Sequence, residues 1–106
     1  MLLVVARERK PSLAQFSARI RSFARSGAIF FSDHALKEMA KDGLDLADLL
    51  SVMGGCRIVE QQPNGRYRVE GRTANGVTVV AICRLEMIAG AERRVFVVTV
   101  WKVGTR

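Results

Sequence analysis

The hydrophobic pattern of the chain changes its period once, at Gly54-Gly55. Before this pair, apolar residues recur every three or four positions, as they do on one face of an α-helix. After it, apolar and polar residues alternate, as they do in a half-buried β-strand. A chain of 106 residues has the usual length of a single domain. The sequence therefore predicts one α+β domain in which the helices precede the strands.

Three helices are predicted in the first half, each preceded by a capping residue and followed by glycine. The first has apolar residues at helical spacing, namely Leu13, Phe16, Ile20 and Phe23. The predicted N-caps of the three helices are Ser12, Ser32 or Asp33, and Asp45. Residues 1–11 are predicted to form an N-terminal tail, and residues 12–106 the single α+β domain.

Four strands are predicted in the second half of the chain, over residues 56–62, 66–72, 77–85 and 93–103. Short links join them, and Asn75-Gly76 is the strongest hairpin signal among these links. Strands joined by short links pair as antiparallel neighbours. The expected fold is therefore α+β, with N-terminal helices packed on one face of a twisted, roughly four-stranded antiparallel sheet.

The chain is basic, with a net charge of +7 and far more arginine than lysine. Five of the ten acidic residues lie between positions 33 and 48, whereas residues 57–84 hold five arginines and two glutamates. The guanidinium group of arginine holds phosphate through two parallel hydrogen bonds. The charge therefore indicates a nucleic-acid binder whose contacts lie on the sheet. A merely solvated basic surface is the alternative.

The second predicted strand has the clearest alternation in the chain. One face carries Arg66, Arg68, Glu70 and Arg72, and the other carries Tyr67 and Val69. Three guanidinium groups on one strand face suit the binding of a phosphodiester, whereas cross-strand ion pairs on a solvated face are the alternative. Arg66, Arg72, Glu70 and Tyr67 are the candidate substrate-binding residues, although Tyr67 also suits a core position.

Two further residues are candidates for catalysis. His34, the only histidine, lies in the first turn of the second helix, and histidine is a common residue in general acid–base chemistry; structural packing is the alternative. Lys102 ends the last strand, either at the rim of a cleft opposite the arginines or where the sheet meets water. The motifs of nucleotide, serine-hydrolase and zinc sites are missing from the sequence, so no cofactor and no metal is expected.

A further set of residues is spread over positions 32–102: His34-Ala35, Met39, Gly43-Leu44, Gly71, Gly76 and Val98-Thr99-Val100. In these residues the chain resembles a family of small bacterial domains of unknown function. That family is similar to the RelE-like toxins, and particularly to the MqsR mRNA interferases. These toxins also place helices before a twisted antiparallel sheet, so the resemblance implies the same fold.

The resemblance also implies catalytic residues. The last strand of MqsR proteins ends in an aromatic residue followed by a catalytic lysine, as Trp101-Lys102 does here, and a polar residue follows an aromatic one in the second strand, as in Tyr67-Arg68. Lys102 and Arg68 are therefore the implied catalytic residues. The lysine of the first MqsR strand has no counterpart here, and neither does the tyrosine of the third.

The resemblance implies an RNA-cleaving toxin of a type II toxin–antitoxin pair, and this is the predicted function. Metal-independent cleavage fits the residues, because RNA supplies its own nucleophile through the 2′-hydroxyl. Its expected partners are an antitoxin protein and RNA, free or on the ribosome. The alternative is a non-catalytic RNA- or protein-binding module of the same fold. The apolar run Met1–Ala6 is too short for a membrane span or a signal peptide. The expected location is the cytoplasm, away from membranes.

Overall fold

The structure is a computed structural model that describes residues 12–104, so the predicted tail, residues 1–11, lies outside the described residues. The elements in chain order are α1 (Leu13–Arg25), β1 (Ile29–Phe31), α2 (Asp33–Lys41), α3 (Leu46–Gly54), β2 (Arg57–Gln62), β3 (Arg66–Arg72), β4 (Thr78–Ile88) and β5 (Ala91–Lys102). One turn of 3-10 helix, Pro63–Gly65, joins β2 to β3.

Side-chain caps begin the three helices at the predicted residues. The Ser12 hydroxyl accepts a hydrogen bond from the backbone N–H of Gln15, and the Asp45 carboxylate does the same for Asp48. Ser32 caps α2, and its hydroxyl also donates to the carbonyl oxygen of Val98 in β5 at 2.6 Å. This last bond ties the start of α2 to the sheet.

Within residues 12–104 the sheet has five strands, in the order β1-β5-β4-β3-β2. The predicted meander is present, because β2 to β5 pair as antiparallel neighbours. The prediction of four antiparallel strands was nevertheless wrong, because β1 adds a fifth strand that runs parallel to β5, with Ile29 opposite Val95. Three residues are too few to show an alternating pattern, and the partner strand lies far along the chain.

The β4–β5 hairpin is longer than predicted. Residues 88–92, expected to form a loop, contain only a tight turn at Ala89-Gly90, where both residues have positive φ angles (54° and 81°). The pairing of β3 with β4 stops at Arg66 and Arg84. The end of the hairpin therefore extends beyond β3.

All three helices pack on one face of the sheet, which confirms the α+β class and the predicted layering. The core combines residues of every helix with one face of the strands: Ile20, Ala35, Met39, Leu49, Val52, Met53, Val69, Val79, Ala81, Val97 and Val100. Val80 and Ile82 lie outside this cluster, on the opposite face. No helix among residues 12–104 is long and apolar enough to cross a membrane.

Candidate nucleic-acid interface

Strand β3 presents its arginines on the sheet face away from the helices. Tyr67 and Val69 are buried under the helices, whereas Arg66 and Arg68 are partly exposed and Arg72 is exposed. This confirms the predicted alternation. Tyr67 itself is only 6% exposed and packs with its ring centroid 5.1 Å from that of Phe16 in α1. Tyr67 is therefore separated from the arginines, and its role is that of a core residue.

We call the face away from the helices the open face. Strand register assigns its charged and aromatic residues, because residues paired across neighbouring strands project to the same side. These residues are Phe30, Arg57, Glu60, Arg66, Arg68, Glu70, Arg72, Arg84, Glu86, Arg94, Phe96 and Trp101. Six arginines stand against three glutamates in this set, so the described part of the open face is net positive.

Arg68 and Trp101 form the first of three arginine–aromatic pairs on the open face. The guanidinium carbon of Arg68 lies over the indole ring, 5.3 Å from its centroid. Such a distance lies within the range of cation–π attraction. Trp101 is therefore held against a cation at the surface rather than enclosed in the core.

The other two pairs lie toward the β1 edge of the sheet. Arg84 stacks over Phe96 at 4.5 Å, and Arg94 stacks over Phe30 at 4.4 Å. Phe96 and Phe30 are direct partners in the parallel pairing of β5 with β1. The fifth strand, which the sequence did not reveal, therefore completes a second aromatic area on the open face.

Glu86 fixes the two arginines of this area. Its carboxylate accepts from Nε of Arg94 at 2.7 Å and from a terminal nitrogen of Arg84 at 3.0 Å. The hydrogen bond from Arg94, aided by that from Arg84, lowers the pKa of Glu86 although partial burial opposes this. The carboxylate is thus ionised at neutral pH and holds both guanidinium groups in place.

A cavity of about 400 Å³ lies beside the open face, where α3 ends next to β2 and β3. Its lining residues are Ser51, Gly55, Arg57, Glu70, Gly71 and Arg72. Within it, Arg57 and Glu70 form an ion pair at 3.6 Å, and the Ser51 hydroxyl donates to the carbonyl oxygen of Arg72. The basic surface of β3 therefore continues into this cavity.

Lys102 lies on the helix-covered face of the sheet. It follows Trp101 directly in β5, and its partner in β4 is Val79, which is fully buried beneath the helices. The structure therefore does not bring Lys102 to Arg68, because the sheet separates the two side chains. Trp101 lies against Arg68 on the open face. Because successive residues of a strand point to opposite faces, Lys102 points to the covered face.

His34 is also remote from the β3 arginines. Its side chain is exposed in the first turn of α2, a helix that packs against β5 and β1 on the covered side. The structure does not bring His34 to Arg68. Within residues 12–104, no three His, Cys, Asp or Glu side chains are grouped in a way that would hold a metal ion.

Of the predicted site residues, the structure brings together Arg66, Arg68, Glu70 and Arg72. Sequence reasoning missed a second group, which consists of Phe30, Arg84, Arg94, Phe96 and, as a site residue, Trp101. The sequence signal for this group is weak: charged or aromatic residues occupy alternate positions of β4 and β5 near the turn that joins these strands. That signal becomes useful only when the strand register is known.

Residues 31–102 match the family described as Domain of unknown function (DUF4258). The chain belongs to this family. The DUF4258 region runs from the last residue of β1 to the end of β5, so it contains every residue of the open face named above except Phe30. Membership confirms the predicted resemblance to a family of unknown function. No curated protein and no solved structure matches the chain.

Proposed function

We propose that this DUF4258 domain binds RNA on the open face of its sheet. The observation that carries the proposal is the presence of three arginine–aromatic pairs on the face that the helices leave uncovered. Arginine supplies charge for phosphates, and aromatic rings and guanidinium planes supply surfaces on which bases stack. A surface with both features suits a ligand that contains both phosphates and bases.

The small exposure of apolar residues at the centre of the open face supports the same proposal. Val80 is 3% exposed and Ile82 is 7% exposed, so the surrounding side chains already shield the apolar floor of the face. A protein partner that recognised this face through apolar burial would find little exposed apolar surface at its centre. The groups left accessible are guanidinium planes and ring faces, which suit a nucleic acid.

Binding is tested by fluorescence anisotropy with a labelled RNA of mixed sequence. We expect Arg68→Ala/Arg84→Ala to weaken binding by about tenfold or more and to reduce its salt dependence, because two cationic stacking groups are lost. The matched control is Lys37→Ala/Lys41→Ala, which removes the same charge from exposed positions of α2. Equal losses in both variants, or no binding by the wild type, would overturn the proposal.

A second candidate function is RNA cleavage by a toxin of a type II toxin–antitoxin pair. The observation that favours it is the cross-strand position of Glu60 opposite Arg68 on the open face. In such a site Glu60 accepts the proton of the 2′-hydroxyl as the 2′-oxygen attacks the phosphorus, and Arg68 stabilises the charge on the phosphate in the transition state. The bond from phosphorus to the 5′-oxygen breaks, and the 5′-oxygen leaves with a proton from water. The implied partner is an antitoxin protein that covers the same face.

Cleavage is tested separately from binding. The candidate predicts that expression of the wild type arrests bacterial growth and fragments mRNA, whereas Glu60→Gln expressed at the same level does neither. Purified protein should cleave RNA in the presence of a chelator, because this chemistry uses no metal. RNA that is bound but stays intact, with normal growth, would exclude the nuclease and leave the binding proposal in place.

A further inference from the structure

The arginines of the open face fall into two groups with different surroundings. Arg66, Arg68 and Arg72 lie along β3, and Arg72 also lines the cavity. Arg84 and Arg94 lie across the sheet, where both donate to the single carboxylate of Glu86. The first group is available to phosphate, whereas the second has already used donors on an internal partner.

The second group retains a different surface for a ligand. The guanidinium carbons of Arg84 and Arg94 lie over the rings of Phe96 and Phe30, and the two arginine side chains are still 38% and 37% exposed. A guanidinium group that lies over an aromatic ring can receive a nucleobase on its other side. Glu86 then acts as the group that holds both guanidinium groups over the rings.

We infer that the RNA bound by this face is single-stranded, with its bases stacked on the planes of Arg84 and Arg94 and its phosphates directed toward the arginines of β3. This inference rests on the proposed RNA-binding function. Bases are available for stacking only where the strand is unpaired, because a duplex stacks its bases on one another and presents phosphates and sugars. Trp101, under Arg68, offers a third stacking position on the same face.

The decisive variant is Glu86→Gln, because the two roles of Arg84 and Arg94 predict opposite effects. If these arginines bind phosphate, removing the negative charge frees them and tightens RNA binding. If they are stacking surfaces fixed by Glu86, the loss of the carboxylate weakens the binding of single-stranded RNA even though the protein becomes more basic. We expect a weakening of about fivefold or more, the scale of one lost stacking contact.

The experiment measures anisotropy with a labelled single-stranded RNA of about ten nucleotides and with the same RNA annealed to its complement. We expect the single strand to bind at least about tenfold more tightly than the duplex. Arg84→Lys is the companion variant, because lysine keeps the charge without the planar group, and it should weaken binding as Glu86→Gln does. Circular dichroism establishes that each variant is folded.

Three outcomes are distinguishable. Preference for the single strand together with weaker binding by both variants supports the inference. Equal or tighter duplex binding, or tighter binding by Glu86→Gln, overturns it and leaves the RNA-binding function standing. Absence of binding to either RNA by the wild type refutes the proposed function and this inference with it.

Discussion

Gly71 in β3 lies directly against the backbone of Val52 in α3. A Cβ atom at Gly71 would be 2.9 Å from the carbonyl carbon of Val52 and closer still to its oxygen. The strand can therefore approach the helix only because residue 71 has no side chain. This contact sets how closely α3 covers the sheet, and it borders the cavity beside the open face.

Gly71→Ala should destabilise the domain by about 2–3 kcal/mol, because the added methyl group forces a helix backbone away from the sheet. Gly54→Ala is the matched control, since its Cβ would meet only the Arg25 side chain at 3.5 Å, an ordinary contact. The free energies of unfolding are compared by urea denaturation. An equal effect of the two substitutions would contradict this picture of the packing.

Trp101 is the only tryptophan of the chain, so intrinsic fluorescence reports directly on the open face. We expect single-stranded RNA to change this fluorescence on titration, because the base or phosphate that approaches Arg68 alters the surroundings of the indole. The change should be reduced in Arg68→Ala and retained in Lys37→Ala. RNA binding by anisotropy without any fluorescence change would place the ligand elsewhere.

The ion-pair cluster of Glu86 predicts a specific dependence of stability on pH. Its pKa is lowered from the usual 4.5 by the hydrogen bonds from Arg94 and Arg84. A lowered pKa in the folded state means that the stabilisation is complete above pH 4.5 and is lost as the pH falls through the folded-state value. Thermal melts should show Glu86→Gln less stable than the wild type at pH 7, with the difference shrinking in acid. A stability difference between the two proteins that stays constant as the pH is lowered would contradict the role of the Glu86 carboxylate.

Cys56 and Cys83 are both buried and free. Burial raises the pKa of the Cys56 thiol to about 11 and that of Cys83 further. Because the thiolate is the reactive form, native protein should resist alkylation by iodoacetamide at about pH 8, whereas both thiols should react readily in concentrated guanidinium chloride. Mass spectrometry counts the adducts. Rapid double alkylation of native protein would show that the core opens.

The helices and the meander were predictable because each depends on local chemistry. Capping by Ser12, Ser32 and Asp45, and the turn at Asn75-Gly76, are signalled by residue types at fixed spacing. β1 was not predictable in the same way. Its three residues acquire their role only from Val95 to Val97, which lie at the far end of the domain.

The candidate site was predictable only where it lies on one strand. The alternation of side chains in β3 assigns Arg66, Arg68 and Arg72 to one face, and this assignment does not depend on the register of the neighbouring strands. The relation of Arg68 to Trp101 and Lys102 depends on the register of three strands, and a bulge in β5 near Val98 changes that register. Sequence periodicity contains no information on such a bulge, so the position of Lys102 relative to Arg68 could not be predicted from the sequence.

The parallel pairing of β1 with β5 has a consequence for the order of folding. During synthesis β1 leaves the ribosome early, yet its partner strand β5 emerges after α2, α3 and three further strands. Contacts between residues so far apart in sequence are slow to form, because a long loop must close first. The aromatic area of Phe30 and Phe96 therefore assembles late, and a nascent chain that ends before β5 lacks the strand that completes the open face.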